Sequence, residues 1–198
     1  DLYVTDIGSP DLLGNLEGVC FNATQSLGAY VAPSPTNLTS WGTAFTDMDR
    51  NGCPDLLVAF GRLGGTMDEY LEGITGVDGA GEDPLLQSNV LLLNDCAPSY
   101  SRLEGTDFDA FPERDRALVV GDLDRDGRAD LVTAGRDFVR VWMAGGGCDN
   151  GVTVRLAMPG PNPAGIGSQV TMTTSEGSQG QWMLPSTMGS ASAAELYF

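Results

Sequence analysis

The distribution of apolar and polar residues predicts a chain built almost entirely from short β-strands. Apolar runs rich in Val, Leu, Phe and Trp alternate with clusters of Gly, Pro, Asn and Asp, which are typical of turns. No long segment shows convincing helical periodicity. The clearest strand-like runs are 41–46, 55–60, 89–94, 117–121, 130–134 and 138–143.

The strand pattern also repeats along the chain. Asp55-Leu-Leu-Val-Ala59 is matched by Asp130-Leu-Val-Thr-Ala134 and by Asp1-Leu-Tyr-Val-Thr5. Each repeated unit is predicted to run strand, loop, strand, turn, strand, and Asp1 is then the last residue of a loop that begins before the sequence. The unit spacing suits the blades of a β-propeller with insertions. One such insertion, at 61–84, is rich in glycine and acidic residues, so we expect a surface loop with a helical turn at 67–71.

Composition shifts after Cys148. Strand-like segments at 151–156, 166–172 and 196–198 carry few charges and no acidic loop. We therefore predict that residues 1–148 form propeller-type blades and that residues 149–198 form a small separate β module. Trp41, Trp142 and Trp182 are expected to lie in the core.

Charge narrows the classes of function. Acidic residues outnumber basic ones 27 to 10, and the net charge of -17 repels nucleic acid and anionic membranes but attracts divalent cations. The absence of histidine removes the usual general base and most zinc and iron sites. No apolar stretch is long enough to span a membrane. The sequence therefore predicts neither an enzyme nor a nucleic-acid-binding or membrane-inserted protein.

Cysteines and glycosylation motifs indicate an extracellular location. The four cysteines form no C-x-x-C motif, so two disulfides fit better than a metal knuckle; they are Cys20, Cys53, Cys96 and Cys148. We expect Cys20 to pair with Cys53 and Cys96 with Cys148, with a crossed pairing as the alternative. Asn22-Ala-Thr24 and Asn37-Leu-Thr39 are N-glycan acceptor motifs. Together these features favour an oxidising, secreted setting.

Two acidic loops carry the candidate chemistry. Calcium takes about six to eight oxygen ligands, and side chains at positions 1, 3, 5 and 9 of a tight loop, with the carbonyl of position 7, can supply them. A glycine at position 6, Gly52 or Gly127, allows the sharp turn. The predicted ligands of two Ca²⁺ ions are Asp47, Asp49, Asn51, the carbonyl of Cys53 and Asp55 in the first loop, and Asp122, Asp124, Asp126, the carbonyl of Arg128 and Asp130 in the second.

These loops are not EF-hands. An EF-hand needs a bidentate glutamate at position 12, whereas Val58 and Thr133 stand there within apolar strands. Turn-forming Asp, Asn and Gly could also produce such loops without a metal, but two aligned loops favour binding. The second loop has four carboxylates against three, so we expect it to bind calcium more tightly.

The pattern D-x-[DN]-x-[DN]-G-x-x-D-L, followed by an apolar strand, resembles the FG-GAP/VCBS repeats of integrin-α-like β-propellers. The tail, with Val152-Thr-Val-Arg-Leu156, Ala164-Gly-Ile-Gly-Ser-Gln-Val-Thr-Met172 and Glu195-Leu-Tyr-Phe198, resembles the ASPIC/UnbV domain. Together they are similar to the secreted cartilage acidic protein family. The resemblance implies an all-β fold of partial propeller blades with calcium-binding hairpin loops, and a role in adhesion or matrix contacts rather than catalysis. The long insertion and the lack of the family's terminal Gly-Leu-Gly depart from that pattern.

Three functional hypotheses follow. The first is a secreted, calcium-stabilised structural or adhesive scaffold that binds extracellular proteins or glycans, or assembles with itself. The second is a subunit of an extracellular filament, and the third is a carbohydrate-active enzyme using the acidic residues Asp68, Glu69, Glu72, Glu82 and Asp83. A closed propeller needs at least about four blades. The missing blades would come from a longer polypeptide or from neighbouring copies by strand addition.

Overall fold

The computed structural model describes residues 1–8, 10–29, 38–62, 86–136, 138–145, 151–175, 177–184, 190–192 and 194–198. Within these ranges the chain forms fifteen strands and one helix of four residues, which confirms the all-β prediction. The helical turn expected at 67–71 lies outside the described residues, as do Asn37, Cys148 and the predicted module boundary. No helix within the described ranges has the length and hydrophobicity that a membrane crossing requires.

The first two sheets are antiparallel. Sheet 1 contains, in order, β1 (Leu2–Val4), β2 (Asp11–Leu16) and β3 (Val19–Asn22). Sheet 2 contains β4 (Ser40–Thr46), β5 (Asp55–Phe60), β6 (Val90–Leu93) and β7 (Ser101–Leu103). Helix α1 (Asp107–Ala110) follows, and Thr106 caps it by accepting a hydrogen bond from the backbone N–H of Asp109.

Sheet 3 and the tail hairpins complete the fold. Sheet 3 contains β8 (Asp115–Gly121), β9 (Asp130–Gly135) and β10 (Val139–Trp142), which are antiparallel neighbours. In the tail, β11 (Thr153–Arg155), β12 (Gln169–Thr173) and β13 (Ser178–Trp182) precede β14 (Ser190–Ser192) and β15 (Glu195–Tyr197). Strands β11 and β15 pair, as do β12 and β13, while β14 joins the edge of sheet 3 by pairing in parallel with β8.

Sheet 2 lies between sheets 1 and 3 and shares a hydrophobic core with each. Alternate side chains of β5 therefore enter different cores, which is why the whole strand is buried. Core 1, between sheets 1 and 2, includes Tyr3, Leu12, Leu56, Val58, Phe60 and Leu92. Core 2, between sheets 2 and 3, includes Ala44, Leu57, Ala59, Leu91, Leu118, Val120 and Leu131. None of the sheets formed by the described strands closes on itself, and the propeller stays a prediction.

The tail contributes to both its own core and core 2. Met183, Leu196 and Phe198 form a third cluster, whereas the neighbouring Tyr197 belongs to core 2. Trp182 is 54% exposed, so its expected place in the core is wrong. Its strand, Ser-Gln-Gly-Gln-Trp, is largely polar and pairs only with β12 among the described strands.

The observed disulfide joins Cys53 to Cys96, with an S–S distance of 2.06 Å. The expected pairs Cys20–Cys53 and Cys96–Cys148 are therefore wrong, and Cys20 is a free, exposed thiol. The cause is strand direction. Because β5 and β6 are antiparallel neighbours, the loop before β5 and the chain after β6 meet at the same end of these strands.

Candidate metal-binding loops

The first acidic loop connects β4 to β5 and is organised by its own carboxylates. Asp47 accepts hydrogen bonds from the backbone N–H groups of Asn51 (3.1 Å) and Gly52 (2.9 Å). Asp49 Oδ1 also accepts from the N–H of Asn51, at 3.1 Å. The N–H of Cys53 donates to Asn51 Oδ1 at 2.8 Å. These bonds turn the predicted ligand side chains toward the inside of the loop.

The second acidic loop connects β8 to β9 and repeats these bonds position by position. Asp122 accepts from the N–H groups of Asp126 (3.1 Å) and Gly127 (3.0 Å), and Asp124 Oδ1 accepts from Asp126 at 3.1 Å. The N–H of Arg128 donates to Asp126 Oδ1 at 2.8 Å. Two loops that lie 75 residues apart in sequence thus share the same internal hydrogen bonds.

Backbone conformation explains the residues at positions 4 and 6. Gly52 and Gly127 have φ angles of 93° and 83°, in the left-handed region where glycine is favoured because it has no Cβ. Arg50 and Arg125, at position 4, also have positive φ angles of 62° and 66°. Non-glycine residues rarely adopt this conformation, so the loop hydrogen bonds must offset its cost.

The aspartate at position 9 joins the loop to the neighbouring strand. Asp55 accepts from the N–H of Met48 in its own loop (2.7 Å) and from the N–H of Asn94, which follows β6 (2.9 Å). Asp130 accepts equivalently from Leu123 and from Ala144, which follows β10; both distances are 2.8 Å. Asp1 in sheet 1 accepts the corresponding bond from Asn15 at 2.9 Å. This aspartate therefore holds each hairpin together through backbone hydrogen bonds.

Each loop gathers three carboxylates. Oxygens of Asp47, Asp49 and Asp55 lie within 4.8 Å of one another, and the same holds for Asp122, Asp124 and Asp126. Asp130 is not part of the second group. Carboxylate clusters of this size provide the hard oxygen donors that calcium prefers, and the remaining ligands would come from Asn51, backbone carbonyls and water.

Burial differs between the two loops at position 1, where Asp47 is 5% exposed and Asp122 is only half-buried. At position 9 both Asp55 and Asp130 are buried. Burial, with added repulsion from Asp49 and Asp47, raises the pKa of Asp55 to about 6 despite its backbone hydrogen bonds. Burial also raises the pKa of Asp47, and Asp49 adds to the effect. A divalent cation would provide the countercharge that these desolvated carboxylates lack, so the residues fit the predicted ion.

The loops contact each other and the tail through residues that the motif did not reveal. The Arg50 guanidinium of the first loop donates to the carbonyl of Gly127 in the second. The N–H of Asp122 donates to the hydroxyl of Tyr197 on β15 at 2.9 Å. A Cβ added to Gly52 would lie 2.9 Å from the Gln179 side chain on β13. No sequence signal pointed to Arg50, Tyr197 or Gln179, because each acts across a long sequence separation.

The first loop has an additional covalent restraint. The Cys53–Cys96 disulfide attaches it to the segment after β6, and Asn51 Nδ2 donates to the carbonyl of Asn94 at 2.9 Å in the same region. The second loop has Arg128 in place of Cys53 and therefore no such bond. The first loop is thus the more restrained of the two.

The remaining candidate residues divide between described and undescribed parts of the chain. Asn22 is exposed on β3, where Nδ2 donates to Asp11 Oδ1 at 2.8 Å, while Thr24 of the same motif is buried. The five acidic residues of the enzyme hypothesis, at positions 68–83, lie outside the described residues.

No protein-family model matches the sequence, and no characterised protein matches it significantly. The resemblance to FG-GAP/VCBS repeats and to ASPIC/UnbV therefore rests on the quoted motifs alone.

Proposed function

We propose that this protein is an extracellular, calcium-stabilised β scaffold with a structural or adhesive role. The observation that carries the proposal is the repeated strand–loop–strand geometry, in which each loop holds three carboxylates within 4.8 Å of one another, at positions 1, 3 and 9 in the first loop and 1, 3 and 5 in the second. One such loop could be an ordinary turn. Two loops with matching hydrogen bonds, each connecting the equivalent pair of strands in its sheet, support a common ligand.

Calcium would stabilise the fold by acting on hairpins. Like charges separated by 4–5 Å repel even in water, and the repulsion is stronger where Asp47 and Asp55 are buried. A bound divalent ion would replace that repulsion with attraction and would hold the loop against the start of the next strand. Loss of the ion would then destabilise the loops and their contacts with the tail.

The extracellular assignment belongs to the same proposal. The Cys53–Cys96 disulfide is the kind of bond that persists in oxidising compartments, and exposed Asn22 provides an accessible glycan acceptor. Weak calcium sites, with Kd of about 10⁻⁴–10⁻³ M, would be filled at extracellular calcium levels. Within this proposal the blades belong to an FG-GAP/VCBS-type propeller and the tail to an ASPIC/UnbV-type module, and the protein binds extracellular proteins or glycans rather than catalysing a reaction.

A filament subunit is the second candidate. The outer face of sheet 3 is apolar and exposed, as at Val139 (70%) and Val141 (51%), which is unusual for a chain that works alone. Scaffold and filament roles share the same calcium chemistry, so they differ in assembly and not in the site.

Isothermal titration with CaCl₂ tests the calcium assignment. We expect two sites in the unmodified protein, one in Asp49→Asn, one in Asp124→Asn and none in the double variant. Asp107→Asn is the matched control, because Asp107 is an exposed aspartate on α1 outside both clusters. Heat of binding that persists unchanged in the double variant would refute the assignment.

A further inference from the structure

Arg50 stands between two predicted ligands of the first loop. Asp49 precedes it and Asn51 follows it, and its φ angle of 62° keeps the backbone in the left-handed conformation of this turn. A calcium ion held by Asp49 and Asn51 would fix the backbone on both sides of Arg50. The position of the Arg50 side chain therefore depends on the state of the first loop.

The Arg50 guanidinium reaches the second loop, where it ends one peptide unit away from a predicted ligand. It donates to the carbonyl of Gly127, and the same peptide unit contains the N–H of Arg128. That N–H donates to Asp126 Oδ1 at 2.8 Å. A single peptide unit thus connects the guanidinium of the first loop to a carboxylate of the second cluster, and hydrogen bonds in such a chain polarise one another.

Two glycines leave room for the guanidinium at this place. A Cβ added to Gly127 would lie 3.6 Å from Arg50 Nη2, which is an ordinary contact. A Cβ added to Gly151, which precedes β11, would lie 2.9 Å from the same nitrogen, and this is too close. Because the guanidinium is the flexible end of a long side chain, a side chain at position 151 would displace it.

Arg125 occupies the same position in the second loop and provides a comparison. Its φ angle of 66° matches that of Arg50, but Arg125 is exposed, whereas Arg50 is half-buried. Arg125 also belongs to the second loop itself. The two loops are therefore alike in internal conformation, and the arginine of the first loop is the one that joins it to the second.

We propose that Arg50 couples the two calcium sites, so that binding in either loop strengthens binding in the other. Calcium in the first loop would fix Arg50, which would hold the peptide unit of Gly127 and, through it, Asp126. The second loop would then lose less conformational entropy when it binds its own ion. The coupling acts equally in both directions, because it is one free energy shared by the two sites. This inference rests on the proposed calcium function.

Calcium titration of single-site variants measures the coupling. Asp49→Asn leaves the second site and Asp124→Asn leaves the first, so neither variant can show coupling. The coupling factor is the product of the two affinities in the two-site protein divided by the product of the two single-site affinities. We expect a factor of about five or more, measured at about 0.15 M salt, where the Debye length of about 8 Å limits repulsion between the two ions.

Three substitutions assign the coupling to Arg50, and each is measured with its own pair of single-site variants. Arg50→Asn should reduce the factor to about one. Asn tolerates a positive φ angle, so the turn should survive. Gly151→Ala should have the same effect without changing any charge, because the new methyl group displaces the guanidinium. Arg125→Asn, the matched control, removes the same charge from the same loop position and should keep the factor of the unmodified protein.

Hydrogen exchange in EDTA gives a readout that needs no metal. Arg50→Asn and Gly151→Ala should both speed the exchange of the N–H groups of Asp126 and Arg128, which form the internal hydrogen bonds of the second loop. Circular dichroism checks that the variants are folded. Exchange that stays unchanged in both variants would show that Arg50 does not hold the second loop, and it would overturn the inference.

The titrations can also contradict the coupling. A factor of one in the unmodified protein would overturn it, as would a factor that persists in both Arg50→Asn and Gly151→Ala. The same data separate the two proposals. If neither loop takes up calcium, the proposed function fails and the coupling fails with it. If both loops bind calcium independently of each other, only the coupling fails.

Discussion

The two loops differ at position 5, and exchanging the residues there tests how much one carboxylate contributes to calcium affinity. Asp126→Asn gives the second loop the residue that the first loop already has, and Asn51→Asp does the reverse. Asn at position 126 retains the Oδ1 acceptor for the N–H of Arg128, so the turn should survive. What changes is one negative charge in a cluster whose oxygens lie within 4.8 Å.

The size of the effect follows from Coulomb's law. In water a pair of unit charges about 4 Å apart interacts by about 1 kcal/mol, and a divalent ion doubles this. Salt screening and the remaining amide dipole reduce the loss to about 1–2 kcal/mol, which is roughly a five- to thirtyfold weaker calcium affinity. The weak Arg128–Asp126 ion pair, at 3.9 Å, is partly exposed and contributes little.

Calcium-free stability should change in the opposite direction. Removing one of three mutually repelling carboxylates should leave the melting temperature of the Asp126→Asn protein in EDTA unchanged or slightly raised. Titration calorimetry and thermal unfolding of the unmodified protein and both variants measure the two effects. If Asp126→Asn binds calcium as tightly as the unmodified protein, or if Asn51→Asp binds more weakly, the cluster is not the binding site.

Three further predictions concern the disulfide, the cores and pH. Cys96→Ser should lower the free energy of unfolding by about 2–4 kcal/mol in urea titrations, because the bond to Cys53 closes a loop of 43 residues; no change on substitution or reduction would contradict this. Leu57→Ala should cost about 2–5 kcal/mol, whereas Val141→Ala in the monomer should cost less than about 0.5 kcal/mol, because Leu57 is 0% exposed and Val141 is 51% exposed. In EDTA, the contribution of Asp55 to the free energy of unfolding should be fully present below the unfolded pKa of about 3.9 and lost as pH rises through about 6, because the folded pKa is the higher one. The difference in unfolding free energy between the unmodified protein and Asp55→Asn, measured from about pH 4 to about pH 8, should show this change. A difference that does not vary with pH would contradict the prediction.

The strands that the sequence predicted best are those that begin at the position 9 aspartate. In β5 and β9 an apolar run follows a turn that is rich in Asp and Gly, and local chemistry determines both the turn and the strand. Most of the predicted carboxylate ligands also lie together, because the residues of one tight turn cannot be far apart, but Asp130 lies outside the second cluster. These features depend on interactions within a few residues.

The missed features depend on long-range packing. Strand β2 is interrupted by Gly14, and β13 contains Gly180 among polar residues, so both depend on the neighbouring strands that pair with them. The disulfide partner of Cys53 could have been found from strand direction, since antiparallel β5 and β6 bring it beside Cys96. The contacts of Arg50 and Tyr197 across the loops have no local signature at all.

The most direct test of the calcium-stabilised scaffold is thermal unfolding of the whole chain in EDTA, in magnesium and in calcium. Two sites with Kd of about 10⁻⁴–10⁻³ M, at about 10 mM calcium, should add about 3–5 kcal/mol and raise the melting temperature by at least about 5 °C. Magnesium at the same concentration should raise it less, because it demands a smaller octahedral site. Equal melting temperatures in calcium and in EDTA would contradict the account.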